Sequence, residues 1–117
     1  MSLIKKVLVK DILSLCPLLD ELDKQNCKLP INTALKLRKL IKEVQYIDNY
    51  VLERLIELIP NLKNTDTILT ENEKQLYDVI LNSEVDLDNH DLTMDELQKN
   101  EDLMVSIQLA DKLLVIL

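Results

Sequence analysis

The feature that most constrains the fold is an apolar-periodic run over residues 28–60, KLPINTALKLRKLIKEVQYIDNYVLERLIELIP, which has a proline near each end. Leu37, Val44, Val51 and Leu58 recur every seven residues, and further aliphatic residues fill the positions between them. This spacing is typical of an α-helix with a coiled-coil-like apolar seam. Such a helix would be roughly 40 Å long, so it either runs the whole length of the fold or projects from it.

The apolar seam of this helix is the first candidate interaction surface. Its residues are Leu37, Leu40, Val44, Ile47, Val51, Leu55 and Leu58. The other predicted helices are much shorter, so part of the seam is expected to stay uncovered in one chain. The seam therefore predicts a protein partner, either a second copy in a homo-oligomer or a different protein. The alternative, which the sequence leaves open, is that the seam is internal core.

Shorter elements are predicted on both sides of the long helix. Residues 3–9, LIKKVLV, favour a short β-strand because they are rich in β-branched residues. A first helix follows, which either starts near Asp11 and bends at Pro17 or starts near Ser14 with Pro17 in its first turn. Further on, residues 70–73 have the sequence TENE, a capping box that predicts the start of another helix.

The C-terminal part is expected to complete a small sheet. Residues 83–89 alternate apolar and acidic side chains with the period of a strand, residues 103–107 are a second candidate strand, and a closing helix is expected from about Leu109. The predicted fold class is α+β, mainly α, with one long central helix packed by two or three shorter helices and a small β element. Residues 1–117 are expected to form a single domain.

The composition argues against most enzymatic chemistry. Glycine is absent from the chain, which excludes phosphate-binding loops, dinucleotide fingerprints and nucleophile elbows, because these need glycine for close backbone approach. Cys16 and Cys27 do not have the spacing of a zinc knuckle or a redox pair, and we expect both to be buried thiols. His90 is the single histidine, so a histidine pair for zinc cannot form. We therefore predict a non-enzymatic protein without a cofactor.

The acidic segment DLDNHDLTMDE, residues 86–96, matches a calcium-binding loop only in part. Asp86 and Asp88 stand at the first and third ligand positions. Asp91 occupies the sixth position, where glycine is required, and Leu97 occupies the twelfth, where a bidentate Glu belongs. The segment does not predict a calcium site, although a weak and nonspecific cation site stays open.

Location in the cell is predicted from what the chain does not contain. No stretch of the sequence reaches the roughly 18 apolar residues of a membrane span. The start, MSLIKKVLVKD, does not have the apolar core and cleavage site of a signal peptide. We expect a cytoplasmic protein with reduced cysteines and no membrane partner.

Charge divides the chain into unlike halves. Residues 1–64 hold eleven Lys and Arg against eight Asp and Glu, whereas the acidic C-terminal half, residues 65–117, holds three against thirteen. The candidate contacts to an anion or a nucleic acid are Lys28, Lys36, Arg38, Lys39 and Lys42. The candidate acidic interaction surface consists of Glu84, Asp86, Asp88, Asp91, Asp95 and Glu96. Because no aromatic residues interleave with the lysines and the pI is about 4.6, a solvated helix face is favoured over nucleic-acid binding.

Two segments resemble a family of small, largely uncharacterised bacteriophage and prophage proteins. In that family a strand and a helix precede a helix with the pattern KLPI-x-x-A-x-K-L, and an acidic LLN-x-EV-x-(I/V/L) strand and a short terminal helix follow. The matching residues are Lys28 to Ile31, Ala34, Lys36, Leu37 and Leu81 to Leu87. The resemblance implies a phage origin and action in the cytoplasm of a bacterial host cell, and it implies no active site.

These observations lead to one functional hypothesis and one alternative. The hypothesis is a non-enzymatic, phage-type interaction protein, such as an adaptor, an assembly factor or an inhibitor of a host protein, that acts through the long helix and the acidic surface. The alternative is a nucleic-acid-associated regulator that uses the basic start of the long helix. A small-ligand binder would need a preformed pocket with converging polar groups.

Overall fold

The structure, a computed structural model, describes residues 4–63, 68–99 and 106–117. The order of elements in these residues is β1 (Ile4–Leu8), α1 (Val9–Asp23), α2 (Ile31–Leu58), α3 (Glu71–Leu81), β2 (Glu84–Asp88), α4 (Met94–Gln98) and α5 (Ile107–Ile116). Two short 3-10 helices, Asn26–Lys28 and Pro60–Lys63, flank α2. The fold class is α+β, mainly α, with one long helix and a small sheet, which confirms the prediction.

The long helix α2 begins and ends slightly inside the predicted run. Pro30 is its N-cap residue, with the extended backbone that a helix start needs, and Ile59 is its C-cap residue. Its 28 residues span about 42 Å, and only the longest of the molecular extents of 48, 28 and 21 Å can contain that length. The helix α2 therefore runs along the length of the molecule and does not project from it.

The main hydrophobic core forms where α1 crosses the first half of α2. From α1 it takes Leu15, Leu19 and Leu22, and from α2 it takes Leu37, Leu40, Ile41 and Val44. The sheet and the C-terminal helix α5 add further aliphatic side chains to the same cluster. A second, smaller cluster joins Val9, Val51 and Leu55, and partly buried residues of α3 pack against it. The two clusters together cover one side of α2 along most of its length.

The apolar seam of α2 is thus mostly internal core, and its prediction as an exposed interaction surface is wrong for five of seven residues. Those buried within the single chain are Leu37, Leu40, Val44, Val51 and Leu55. Ile47 is half-buried and Leu58 is 45% exposed. The prediction compared the length of α2 with that of each shorter helix separately. In the structure, α1 covers the first half of the seam, and α3 together with the start of α1 covers the second half.

The first helix starts earlier than either predicted alternative. Val9 follows β1 without a loop and donates its backbone N–H to the Ser83 carbonyl at 2.9 Å. Pro17 lies inside α1 with an exposed ring, so a start near Ser14 is wrong. Since proline has no N–H, one helical hydrogen bond is lost at that point, and the buried leucines on the opposite face hold the helix together.

The two strands pair antiparallel, with a register that runs from Ile4 opposite Asp88 to Leu8 opposite Glu84. The predicted strand at residues 103–107 is not part of this sheet within the described residues, because residues 103–105 lie outside them and Ile107 already belongs to α5. Ser106 caps α5 by accepting a hydrogen bond from the Leu109 N–H at 3.1 Å. A residue with this capping role starts a helix, so the strand prediction is wrong at its C-terminal end.

The predicted capping box of α3 is present in the structure. The Thr70 hydroxyl accepts from the Glu73 N–H at 3.2 Å, and the Glu73 carboxylate accepts from the Thr70 N–H at 3.0 Å.

Among the described residues, no helix combines the length and the apolar character that crossing a lipid bilayer requires.

Replacing Leu37 and Leu58 separately by alanine tests how the two ends of the seam differ. Leu37→Ala leaves a cavity in the core and is expected to lower the free energy of unfolding by about 2–5 kcal/mol. Leu58→Ala is the matched control on the same helix, and because its side chain is partly exposed the loss is expected to stay below about 1 kcal/mol. Urea denaturation measures both. Equal losses would contradict the burial of Leu37.

Candidate interaction surface

An apolar groove of about 310 Å³ lies between the second half of α2 and the junction of α3 with β2. The residues that line it are Val9, Tyr46, Ile47, Tyr50, Val51, Arg54, Leu58, Ile80, Ser83 and Val85. Val9 and Val51 are its buried members, and they belong to the smaller core cluster. The groove is therefore an open extension of that cluster, with α2 on one side and the end of α3 and the start of β2 on the other.

A row of large side chains follows the α2 side of this groove. Tyr46, Tyr50 and Arg54 are four residues apart, so they lie one above the other on the same face of the helix. Tyr46 is 73% exposed and Tyr50 is 54% exposed. Leu58 continues the row at the same spacing. Tyrosine and arginine are the residues that most often contribute to protein interfaces, because they combine large apolar area with a polar group.

This tyrosine row was not predicted from the sequence. The prediction followed the seven-residue spacing of aliphatic residues, which marks the buried side of α2. The signal that could have identified the groove was the four-residue spacing of Tyr46, Tyr50 and Arg54 on the polar side of the same helix. Tyr46 and Tyr50 are two of the three tyrosines in a chain without Phe or Trp, so their position on the same face of α2 was the informative feature.

The strand β2 contributes the acidic side chains next to the groove. Glu84, Asp86 and Asp88 alternate with apolar residues, so their carboxylates lie on the face of the sheet away from the core. Glu84 and Asp86 are exposed, whereas Asp88 is half-buried and accepts a hydrogen bond from the His90 N–H at 2.8 Å. On β1, Lys6 stands opposite Asp86, and the other two acidic residues face apolar partners. This outer face therefore keeps a net negative charge.

Glu96 is part of an ion pair and not of the exposed acidic surface. Its carboxylate accepts hydrogen bonds from Lys36 Nζ at 3.1 Å and from the Thr33 hydroxyl at 3.2 Å, both on α2. The side chains of Lys36 and Glu96 are each 25% exposed. Burial raises the pKa of Glu96, but the hydrogen bonds from Lys36 and Thr33 and the charge of Lys36 outweigh this, so its pKa lies below the ordinary value. This contact partly neutralises Lys36, so less of its charge is left for a nucleic acid.

The other candidate cations do not form one basic cleft. Arg38 lies 3.4 Å from a carboxylate oxygen of Asp23 on α1. Lys28 belongs to the 3-10 helix that precedes α2. Lys39 and Lys42 are exposed on α2, three residues apart. A phosphate backbone would thus meet three exposed lysines and two partly neutralised cations, which is a small electrostatic footprint.

The turn after β2 holds the acidic segment against α2. His90 and Asp91 have positive φ angles of 54° and 65°, a left-handed conformation that costs roughly 1–2 kcal/mol per residue without glycine. The Asn89 side chain is buried and accepts from the Asp91 N–H at 3.1 Å. His90 Nε2 lies 2.8 Å from a Glu43 carboxylate oxygen on α2. Of the predicted acidic surface, Asp91 is thus partly buried in this turn, and Asp95 stays exposed on α4.

The thiol of Cys16 lies in the interface between α1 and α2. Burial, together with the charges of Asp48 and Asp20, raises its pKa to about 11. A thiol of this kind stays protonated and is a poor nucleophile. Cys27 is exposed, so the expectation that both cysteines are buried is wrong for Cys27. Within the described residues, no cluster of three His, Cys, Asp or Glu side chains is placed to hold a metal ion.

Comparison with known proteins gives no match at the level of family, sequence or structure. No protein-family model matches the chain, and no curated protein or solved structure shows a significant similarity. The resemblance to small bacteriophage proteins therefore stays a prediction. The function has to be argued from the contacts, burial and charge of the chain itself.

Thiol labelling tests the burial of Cys16. In Cys27→Ser, which retains Cys16, the native protein is expected to react with an aromatic disulfide reagent roughly 100-fold more slowly at about pH 8 than Cys16→Ser, which retains the exposed Cys27. In denaturing urea the two variants should react at similar rates. Equal rates in the native state would contradict the position of Cys16.

The pH dependence of stability tests the contact between Glu96 and Lys36. Because the folded-state pKa of Glu96 is lowered, its carboxylate stabilises the folded state above an ordinary pKa of about 4.3, and this stabilisation is lost as the pH falls through the folded-state pKa. The free energy of unfolding of Glu96→Gln should therefore differ from that of the original chain most at about pH 7 and least at about pH 3.

Urea denaturation across this pH range measures the difference. Glu53→Gln, at an exposed position of α2, is the control for the effect of a Glu→Gln change by itself. A constant difference for Glu96→Gln over the whole range would contradict the ion pair.

Proposed function

We propose that this chain is a non-enzymatic, phage-type interaction protein, acting as an adaptor, an assembly factor or an inhibitor, that binds a protein partner. The observation that carries the proposal is the exposed row of Tyr46, Tyr50 and Arg54 along an apolar groove. The acidic residues of β2 lie on the face of the sheet opposite to Val85, which lines the groove. The bacteriophage origin comes from the sequence resemblance alone, and the binding role is argued from the groove.

The groove supports binding because it presents apolar area on a rigid element. The helix α2 is held along its length by two core clusters, so the tyrosines project from a backbone that needs no further ordering. A partner that covers them would remove apolar surface from water without a large loss of conformational entropy in this chain. Arg54 adds a positive charge that can pair with a partner, since its ion pair with the exposed Glu57 is long, at 3.6 Å, and therefore weak.

Two potentially reactive groups, the Cys16 thiol and the His90 imidazole, contact other parts of the fold, which supports a binding role over an enzymatic one. The Cys16 thiol is protonated between two helices, and His90 connects a turn to Glu43. The polar groups that line the groove are two phenol hydroxyls, a serine and an arginine. They do not include a nucleophile next to a general base, which acyl or phosphoryl transfer needs.

The nucleic-acid alternative has less support after the basic residues are placed. Lys36 and Arg38 each contact a carboxylate. The predicted homo-oligomer through residues 37–58 also loses its basis, because most of the seam is buried in one chain. The groove replaces the seam as the proposed site for a protein partner.

An affinity pull-down from bacterial lysate, with and without nuclease, tests the proposed function. The immobilised protein is expected to capture a protein partner that survives nuclease, and the double variant Tyr46→Ala with Tyr50→Ala should lose most of it. Because both tyrosines are exposed, the variant should keep its thermal stability within a few degrees.

The matched control removes exposed apolar area from α2 outside the groove. In Leu35→Ala with Leu52→Ala, two exposed leucines that do not line the groove are truncated, and capture should be retained. Loss of the partner on nuclease treatment, or in Lys39→Glu with Lys42→Glu, would favour the nucleic-acid alternative. Capture that is indifferent to the tyrosines would contradict the proposed site.

A further inference from the structure

The backbone of β2 has one edge paired with β1 and one edge directed away from it. Val9 donates its N–H to the Ser83 carbonyl, and the antiparallel register places Val7 opposite Val85 two residues further along. In an antiparallel pair, hydrogen-bonded and non-hydrogen-bonded residue pairs alternate. Every second residue of β2 counted from Ser83, namely Val85 and Leu87, therefore directs its backbone N–H and C=O groups toward β1.

The remaining residues of β2 direct their backbone groups to the outer edge. They are Glu84, Asp86 and Asp88. Within the residues that the structure describes, β2 pairs with β1 alone, and no other backbone hydrogen bond reaches these three residues. An edge with unpaired N–H and C=O groups can accept a further strand.

A strand added at this edge would place its side chains on two chemically different faces. One face continues the row that contains Val85, which lines the groove together with Tyr46 and Tyr50. The other face continues the row of carboxylates on the outside of the sheet. Because side chains alternate along a strand, the incoming segment needs apolar residues at every second position and cationic residues between them.

We propose that the outer edge of β2 binds an extended, basic segment of a partner protein, in which apolar residues alternate with Lys or Arg. The inference rests on the proposed function and names the chemistry of the partner. The inner edge of β2 shows this pairing at one carboxylate, because Lys6 of β1 stands opposite Asp86 and Val7 stands opposite Val85, while Glu84 and Asp88 face apolar residues of β1. Opposite charges in such cross-strand positions stabilise a sheet, and like charges destabilise it.

Charge also argues against a second copy of this chain as the occupant. Two β2 strands paired edge to edge would bring the carboxylates of Glu84, Asp86 and Asp88 from one copy next to the same carboxylates of the other. Acidic residues on an exposed edge are a common device that prevents such self-pairing. A basic segment of a different protein turns the same charges into an attraction, which also speeds encounter.

A synthetic peptide about nine residues long, in which valine alternates with lysine, tests the inference on the full chain. Fluorescence anisotropy measures its affinity, and the amide chemical shifts of the isotope-labelled protein locate its binding. The amides of Glu84, Asp86 and Asp88 are expected to shift and to gain protection from hydrogen exchange. Replacing lysine by glutamate in the peptide, or methylating every second backbone nitrogen on the β2 side, should weaken binding at least about tenfold.

The protein variant Glu84→Gln with Asp86→Asn should weaken the lysine peptide about three- to tenfold and make its binding less sensitive to salt. Glu21→Gln with Glu53→Gln changes the net charge equally at exposed sites outside the strand and should leave affinity unchanged. Equal effects of the two double variants would show nonspecific attraction and overturn the proposal.

Three further outcomes separate this inference from the proposed function. No binding of the lysine peptide, or equal binding of the glutamate peptide, overturns the edge proposal, while a partner capture that depends on Tyr46 and Tyr50 leaves the proposed function standing. Binding of the lysine peptide that shifts groove residues but not the amides of β2 has the same consequence. Peptide binding at the edge without any tyrosine-dependent capture supports the edge proposal and contradicts the proposed function.

Discussion

The contact between α1 and α2 is the interaction on which the rest of the structure depends. Leu15, Leu19 and Leu22 of α1 are buried in one cluster with the aliphatic residues of α2, and each fully buried leucine contributes roughly 1.5–3 kcal/mol. Because Val9 follows β1 directly, the position of α1 also places the first strand, and its pairing places β2 beside α2. The packing of α1 on α2 therefore also sets the positions of the groove and of β2.

The long helix uses two of its sides for different purposes. One side is buried by two clusters, which fixes the backbone over most of the length of the helix, and another side carries the exposed tyrosine row. A short helix with its apolar side buried would have too few residues left for an extended row. The length of α2 thus allows one element to complete a core of aliphatic side chains and to carry an exposed row of large side chains.

The acidic residues of the C-terminal half serve at least three separate functions. Glu73 completes the capping box of α3, Glu96 holds α4 to Lys36, and Glu84 and Asp86 face solvent on β2. Glu73 and Glu96 stabilise the fold, while Glu84 and Asp86 give the outer face of the sheet its negative charge. The net charge of a segment therefore says little about its surface, because ion pairs and caps remove some charges from interaction with a partner.

The sequence by itself determined the local elements: the long helix, the capping box at Thr70 and the alternating strand at residues 84–88 all follow from the spacing of a few side chains. It did not determine which side of α2 is covered, because covering a seam depends on neighbours that are distant along the chain. It also could not show that Lys36 meets Glu96, or that the tyrosine row lines a groove together with Val85 of β2. Only the tertiary structure decided these points, since burial and pairing are properties of groups that folding brings together.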